Sequence, residues 1–374
     1  MKQFKRCTRC IMDESVPLIS FDESGICNYC KDALFKVQAN KEFVSNNQHE
    51  LENLVKKIKT SKKSTNKYDC IIGLSGGVDS SYIAYLVKKY SLNPLAIHLD
   101  NGWNSDLAVT NIEKLVKSLD IDLFTYVINW NEFKDLQLSF LKSNVANCEI
   151  PTDHAIFAIL FKMANKYDVR YIIHGGNSSS ESIMPRAWME DSFDMEIIKS
   201  VHGKYGSVKL KTFPRLGYPK LFFNLIIKRV KYIGILNYLD YNKENAITFL
   251  ESEYGWTKYS GKHFESIFTR WFQGHYLVQK YNIDKRLAHY SSLIISNQMS
   301  REDAIEKMKE LPYDKATIDI DNNYIRKKFD LTEEEFCDIM QKKSAGYNFF
   351  SIYQWLLRAF RNLIPLVKKF AGRI

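Results

Sequence analysis

Two groups of residues in this 374-residue chain have the types and spacing to do chemistry. The first is Ser75-Gly76-Gly77-Val78-Asp79-Ser80-Ser81. An apolar run, Cys70-Ile71-Ile72, leads into it, and Tyr82, Ile83, Leu86 and Val87 follow at helical spacing. Strand, glycine turn and helix in that order make an anion cradle. Adjacent glycines let backbone N–H groups approach a phosphate without a Cβ in the way, and the helix start adds orphan N–H groups and a positive dipole end. Ser75, Ser80 and Ser81 contribute hydroxyls, and Asp79 a carboxylate. The second group is Cys7-x-x-Cys10 and Cys27-x-x-Cys30, with sixteen residues between the pairs. That is the spacing of a four-thiolate zinc site, closed and therefore structural. An iron–sulfur cluster is the alternative and a redox pair the third reading. Cys70, Cys148 and Cys337 are scattered and read as small buried hydrophobes.

The elements that must position these groups follow from hydrophobic patterning. Residues 1–35 form the zinc-binding module of four cysteines, with Asp22-Glu23-Ser24-Gly25 as its hairpin turn, and residues 36–66 a helical, polar linker. From 67 to 215, buried strands alternate with helices. Pro94 to Asp100 is a second strand, Leu123 to Ile128 a third and Arg170 to His174 a fourth, with helices near 131–143 and 153–166. Alternation of this kind predicts an α/β fold with a doubly wound parallel sheet. Ligands bind such sheets beyond the carboxyl ends of the strands. The Ser-Gly-Gly loop, Asp100-Asn101-Gly102-Trp103 and Gly175-Gly176-Asn177 all fall there. Asp79 and Asp100 are candidates to hold Mg2+ or to orient phosphates and ribose, although Asp100 equally suits a turn or helix cap. Ser178 to Trp188 reads as a loop over the pocket.

Residues 216–374 read as a mainly helical substrate or partner domain. Leu221 to Leu239 is apolar around a helical wheel except for Lys228, Arg229 and Lys231, which predicts one buried helix in preference to a membrane element. Tyr254 to Gln273 and Asp284 to Leu293 are dense in Lys, Arg, His and aromatics, a composition suited to an anionic ligand with flat rings. Ser300-Arg301-Glu302-Asp303 has helix-capping spacing. Net charge is +10, but seven Lys/Arg and no acid lie from Ile339 onward, leaving about +3 on the preceding 338 residues. A broad nucleic-acid face is not expected. From Phe349 to Ile374 a basic amphipathic pattern repeats. Its apolar arc is expected to pack on the protein or a partner, with peripheral contact to the inner membrane as the alternative. No spanning helix and no apolar leader are apparent, so a cytoplasmic location is expected.

The loop lacks the Lys of a P-loop and the G-x-G-x-x-G of a dinucleotide site. Ser-Gly-Gly-Val-Asp-Ser instead resembles the PP-loop of ATP pyrophosphatases, the adenine nucleotide alpha hydrolase-like fold. These enzymes split ATP between its α- and β-phosphates. More of the chain carries a narrower resemblance. Cys-Thr-Arg-Cys-Ile-Met-Asp, the second Cys pair, His-Leu-Asp-Asn-Gly-Trp, Pro151-Thr152-Asp153-His154, Gly-Gly-Asn, Lys-His-Phe-Glu-Ser and Asp-Lys-Arg resemble the N-acetyl sugar amidotransferases of bacterial surface-polysaccharide and flagellin-glycan synthesis, the WbpG-like family. These motifs span about residues 7–305, and the last fifty or so add none. The resemblance implies conversion of an acetamido group to acetamidino with ATP, Mg2+ and ammonia from a separate HisH-type glutaminase. It implies a nucleotide-linked N-acetyl sugar as substrate and a zinc site at Cys7, Cys10, Cys27 and Cys30. ATP would be held by Ser75, Gly76, Gly77, Asp79, Ser80, Asp100, Gly175 and Asn177. Ser75, Asp79, Lys262 and His263 are the catalytic candidates, and Lys262, His263 and Arg286 are candidates either to hold substrate phosphates or to act in proton transfer, which the sequence does not separate. A PP-loop enzyme of tRNA thiolation is the alternative, and a nucleotide-binding regulatory module the third.

Overall fold

The computed structural model describes residues 4–46, 49–188, 191–261, 263–312 and 314–342. Lys262 and the amphipathic tail from Phe349 lie outside the described residues. Helices α1 (Asn28–Asn46) and α2 (Glu50–Ser61) lead into a Rossmann-like alternation: β1 (Cys70–Gly73), α3 (Val78–Lys89), β2 (Pro94–Asp100), α4 (Asp106–Leu119), β3 (Asp122–Val127), α5 (Trp130–Ser143), α6 (Ile150–Lys166) and β4 (Tyr171–His174). A fifth strand, β5 (Lys231–Gly234), completes a parallel sheet of order β3-β2-β1-β4-β5. The doubly wound α/β fold read from the sequence is present, and the helical C-terminal region follows it.

The sheet's residues alternate between two cores, as strands buried on both faces must. Cys70, Ile72, Ala96, Tyr171 and Ile173 pack with α2, α3 and α4, while Ile71, Leu95, Ile97 and Ile172 pack with α6. Strand order reverses between β1 and β4, so the loops leaving these two strands flank the crevice where doubly wound sheets bind ligands.

Two expectations are corrected. Leu221–Leu239 is not one buried helix: Tyr218–Phe222 is helical, Phe223–Ile227 continues as a π-turn, and β5 and a 3-10 turn follow. The single apolar run hid a change of period within it. The sheet consequently takes a strand from beyond residue 215. Ser178–Trp188 is not a loop over the pocket either. It carries a short helix and a 3-10 turn, buries Ser180, Ile183 and Trp188, and donates Ile183 N–H to Ser292 Oγ at 3.0 Å. None of its residues lines the cavity that opens from the Ser-Gly-Gly loop.

The N-terminal cysteine module folds as the spacing requires. An antiparallel bridge joins Phe21 to Cys27 around a turn in which Gly25 has φ +76°. All four Sγ atoms are buried within 4.8 Å of one another, and Cys10 Sγ lies 3.8 Å from Cys27 Sγ. A tetrahedron of thiolates at ~2.3 Å from zinc has edges of ~3.8 Å. The N–H groups of Cys10 and Cys27 donate to Cys7 Sγ (3.5 and 3.3 Å), and Cys30 N–H to Cys27 Sγ (3.3 Å). Such bonds stabilise thiolates. Four thiols this close oppose one another's ionisation: mutual hydrogen bonding pulls Cys7 and Cys10 below the ordinary thiol range and pushes Cys27 and Cys30 above it. A metal cation relieves that conflict, so the residues fit a four-thiolate zinc or iron–sulfur site. The module is bolted to the C-terminal helices. Arg301 donates to the Cys7 and Cys10 carbonyls (2.9 and 3.1 Å), Ile11 N–H to Ser291 Oγ (3.3 Å), and Leu287, Ala288 and Ile295 share its core. Ser300 caps its helix through Asp303 N–H at 3.0 Å.

Loss of the metal should therefore weaken the C-terminal packing along with the module. Cys10→Ser is expected to abolish bound metal, zinc at one per chain, and to lower the unfolding temperature by about 10 °C or more. Elemental analysis with thermal denaturation checks this; a metal-free chain of undiminished stability would contradict it.

Candidate active site

The Ser-Gly-Gly loop links β1 to α3 because two local constraints admit little else. Gly76 has φ +84°, a conformation that side-chain-bearing residues avoid, and a Cβ there would sit 2.8 Å from Ala108 O. Ser75 and Ser80 then close the turn on itself. Ser75 N–H and Gly77 N–H donate to Ser80 Oγ and Ser75 Oγ at 3.3 Å each, and Ser80 Oγ donates to Gly77 O at 3.0 Å. The two hydroxyls lie 3.2 Å apart.

The C-terminal half grips this loop from outside. Trp256 Nε1 and Tyr259 OH both donate to the Gly76 carbonyl, at 3.0 and 3.1 Å. Asn111 of α4 fixes the gripping segment by pairing reciprocally with the Thr257 backbone, at 2.9 Å in both directions. Further along, Ser105 N–H donates to Glu265 O and Ile267 N–H to Trp103 O (2.9 and 2.8 Å). This stitches residues 265–267 to the loop leaving β2. Glu265 is thereby carried to the cradle: a Cβ on Gly77 would lie 3.2 Å from its Oε1. Burial opposes its charge, but His263, 3.6 Å away, holds the carboxyl below its usual range.

Asp79 opens α3, where the helix dipole favours a negative charge. Its Oδ1 accepts the Tyr241 hydroxyl at 2.5 Å. Burial, and then Asp79, push Tyr241 well above the ordinary phenol range, so it stays a donor. Across the switch point, a Cβ on Gly175 would be 2.9 Å from Asp79 Cβ, so the loop after β4 closes on the start of α3 only with glycine there. His174 is stacked on Tyr232 (4.0 Å) and accepts Gly176 N–H at 3.1 Å; burial lowers its pKa to about 4, leaving it neutral at neutral pH.

A cavity of about 520 Å³ opens from the loop, within the size range of small-molecule sites. Ser75, Gly77, Asp79, Ser80 and Gly175 line one end, and Lys285, Arg286, His289 and Glu310 belong to the C-terminal wall, with His263 and Glu265 also on its surface. Seven of the sequence-predicted residues, Ser75, Gly77, Asp79, Ser80, Gly175, His263 and Arg286, thus meet at one cavity. Gly76 shapes the loop from behind. Asp100 and Asn177 do not line the cavity: Asp100 Oδ1 accepts Gly102 N–H (2.9 Å) and Asn104 Nδ2 (3.3 Å), and Asn177 caps Ser180 N–H at 2.9 Å. Both side chains build the turns at the strand ends. Arg286 reaches the cavity but is committed to Asp284 (2.7 Å) and to Glu310 O (3.0 Å). Sequence reasoning missed Tyr241, Trp256, Tyr259 and Glu265 as parts of the cradle. The aromatic density at 254–259 is a signal, but it suggests ligand contact when two of those rings hold the loop itself. Nothing in the sequence marks Tyr241.

Comparison with known proteins meets this geometry at both ends of the cavity. Residues 50–184 match the NAD synthase family, and residues 265–363 match the C-terminal domain of WbpG-like LPS biosynthesis proteins. The second match begins at Glu265 and runs well past the last motif recognised in the sequence. Among curated relatives, the chain is 27% identical over 172 residues to an uncharacterized protein of Methanocaldococcus jannaschii, covering 46% of this chain and 58% of that one. It is 29% identical over 140 residues to a tRNA-specific 2-thiouridylase of Fusobacterium nucleatum, covering 35% and 38%. It is 29% identical over 137 residues to an NH3-dependent NAD+ synthetase of Mycoplasmopsis pulmonis, covering 34% and 49%. The chain spans less than two thirds of each of these proteins. With the Ser-Gly-Gly loop at the switch point of the sheet and the segment that matches the WbpG-like C-terminal domain walling the same cavity, the two family matches support a WbpG-like member of the PP-loop family.

Proposed function

We propose that this protein is an amidotransferase that converts the acetamido group of a nucleotide-linked N-acetyl sugar to an acetamidino group, within bacterial surface-polysaccharide or flagellin-glycan synthesis. One observation carries the reading: a single cavity has the phosphate loop at one end and the WbpG-like segment at the other. ATP and a second, anionic substrate would meet inside it.

The chemistry balances in two steps. The acetamido oxygen attacks the α-phosphorus and expels pyrophosphate, giving an imidate joined to AMP. Ammonia then adds to the imidate carbon, AMP leaves with the former amide oxygen, and a proton is lost. The first step separates negative charge, and fixed donors aimed at it lower the barrier. Gly77 N–H, the Ser75 and Ser80 hydroxyls and the start of α3 supply that field at the departing pyrophosphate. Asp79 and Glu265 are the carboxylates beside the loop that would hold a Mg2+ accompanying it; such an ion neutralises charge on the departing phosphates. His263 and His289, with ring centroids 5.8 Å apart, line the cavity where proton transfer to or from the attacking amine would occur.

Ammonia is expected from a separate glutaminase. No described cysteine lines the cavity. Cys148 is fully buried, with its thiol on Val145 O at 3.4 Å. The NH3-dependent relative supports the use of ammonia as such. The thiouridylase relative keeps tRNA thiolation as the competing reading, which predicts ATP cleavage stimulated by tRNA.

Two outcomes test the proposal. Incubation with ATP and a panel of nucleotide-linked N-acetyl sugars should release AMP and pyrophosphate only with sugar and ammonium. Ser75→Ala and Asp79→Asn should lower that rate by about 100-fold with unfolding temperatures unchanged. Release of ADP and phosphate, or stimulation by tRNA alone, would refute it. The purified chain should use ammonium salts and not glutamine; glutamate release by the chain alone would contradict an external ammonia source.

A further inference from the structure

The helix Tyr218–Phe222 and its π-turn Phe223–Ile227 form one exposed ridge with an unusual division of faces. Inward, Tyr218 is buried, Leu221 and Leu225 pack on the α6 core, and Asn224 is held by Asn165 Nδ2 at 2.6 Å. Outward, Phe222, Phe223, Ile226 and Ile227 are 39%, 50%, 47% and 65% exposed. The helix is already anchored, so the outward side chains add nothing to the core. Other large exposed apolar residues are mostly dispersed along the chain, as on ordinary surfaces. Four on adjoining turns are a patch that calls for a function.

The charge around the patch is equally one-sided. Between Ile197 and Leu239 there are nine Lys/Arg and no Asp or Glu. The near-neutral balance of the first 338 residues conceals this block. Lys220, Lys228 and Arg229 on and beside the ridge are all exposed. A nucleic acid would satisfy the cations but leave Ile226 and Ile227 in water. An anionic bilayer satisfies both: aromatic and aliphatic side chains enter the headgroup boundary while lysines and arginines meet the lipid phosphates. We infer that this ridge docks the protein on an anionic membrane surface. Among the described residues no helix is long and apolar enough to cross a membrane, so the contact is peripheral.

The test uses the full chain, tail included, with sedimentation onto vesicles of phosphatidylcholine alone or mixed equally with phosphatidylglycerol. The wild type should pellet with the mixed vesicles and be released by high salt. Phe223→Ser with Ile227→Ser, and separately Lys220→Glu with Lys228→Glu, should each reduce partitioning about tenfold or more. Thermal unfolding and ATP-dependent turnover should not change. Three results overturn the inference: no pelleting of the wild type, undiminished pelleting of both variants with the tail intact, or equal binding to phosphatidylcholine alone. Lipid-independent self-association lost in the Ser variant would assign the patch to a second copy of the chain and also overturn it.

Discussion

The structure depends most on the way one carbonyl is held. Gly76 O accepts hydrogen bonds from Trp256 and Tyr259, which fixes the peptide joining Gly76 to Gly77. A glycine pair is the most easily reoriented stretch of backbone a chain can contain. The property that lets the loop approach a phosphate would also let it turn away. Two donors on one carbonyl remove that freedom before any ligand arrives, which is preorganisation in the sense that matters for charge stabilisation. The donors belong to the segment that also brings Glu265 and His263 to the cavity. The loop end and the C-terminal wall of the cavity are therefore set by the same contacts, through Asn111 and the backbone of residues 103–105.

This coupling explains why the C-terminal half is so heavily tied to the rest. The Arg286–Ile295 helix contributes Arg286 and His289 to the cavity and packs its other face on the N-terminal cysteine module. Ser291 and Ser292 of that helix take N–H groups from Ile11 and Ile183. The cysteine cluster lies in a different hydrophobic core from the sheet and meets the cavity wall at this shared helix. A closed four-thiolate site suits such bracing.

The sequence made four of the five strands legible, the edge strand β3 among them. Period-two burial on both faces leaves continuous apolar runs, so β1, β2 and β4 stand out, and the glycines at their ends locate the crevice. It hid β5 because a four-residue strand follows directly on a ridge that is apolar both inward, at Tyr218, Leu221 and Leu225, and outward, at Phe222, Phe223, Ile226 and Ile227. Patterning assumes that apolar faces point inward, and at 218–227 that assumption fails. Residue type alone points Asp100 and Asn177 toward nucleotide binding. Both stand at strand ends where ligands bind, yet short polar side chains at such positions also satisfy turn N–H groups. Only the geometry separates the two uses. Tyr241 reaches Asp79 across 162 positions, a pairing that no local pattern encodes.

The central claim is that the amide oxygen of the substrate becomes an oxygen of AMP at this loop. Positional isotope transfer tests it most directly. With a nucleotide-linked N-acetyl sugar carrying 18O in the acetamido group, mass spectrometry of the AMP formed should show one labelled oxygen per amidino group produced. Label retained in the sugar product, or appearing in pyrophosphate, inorganic phosphate or water while AMP stays unlabelled, would contradict it.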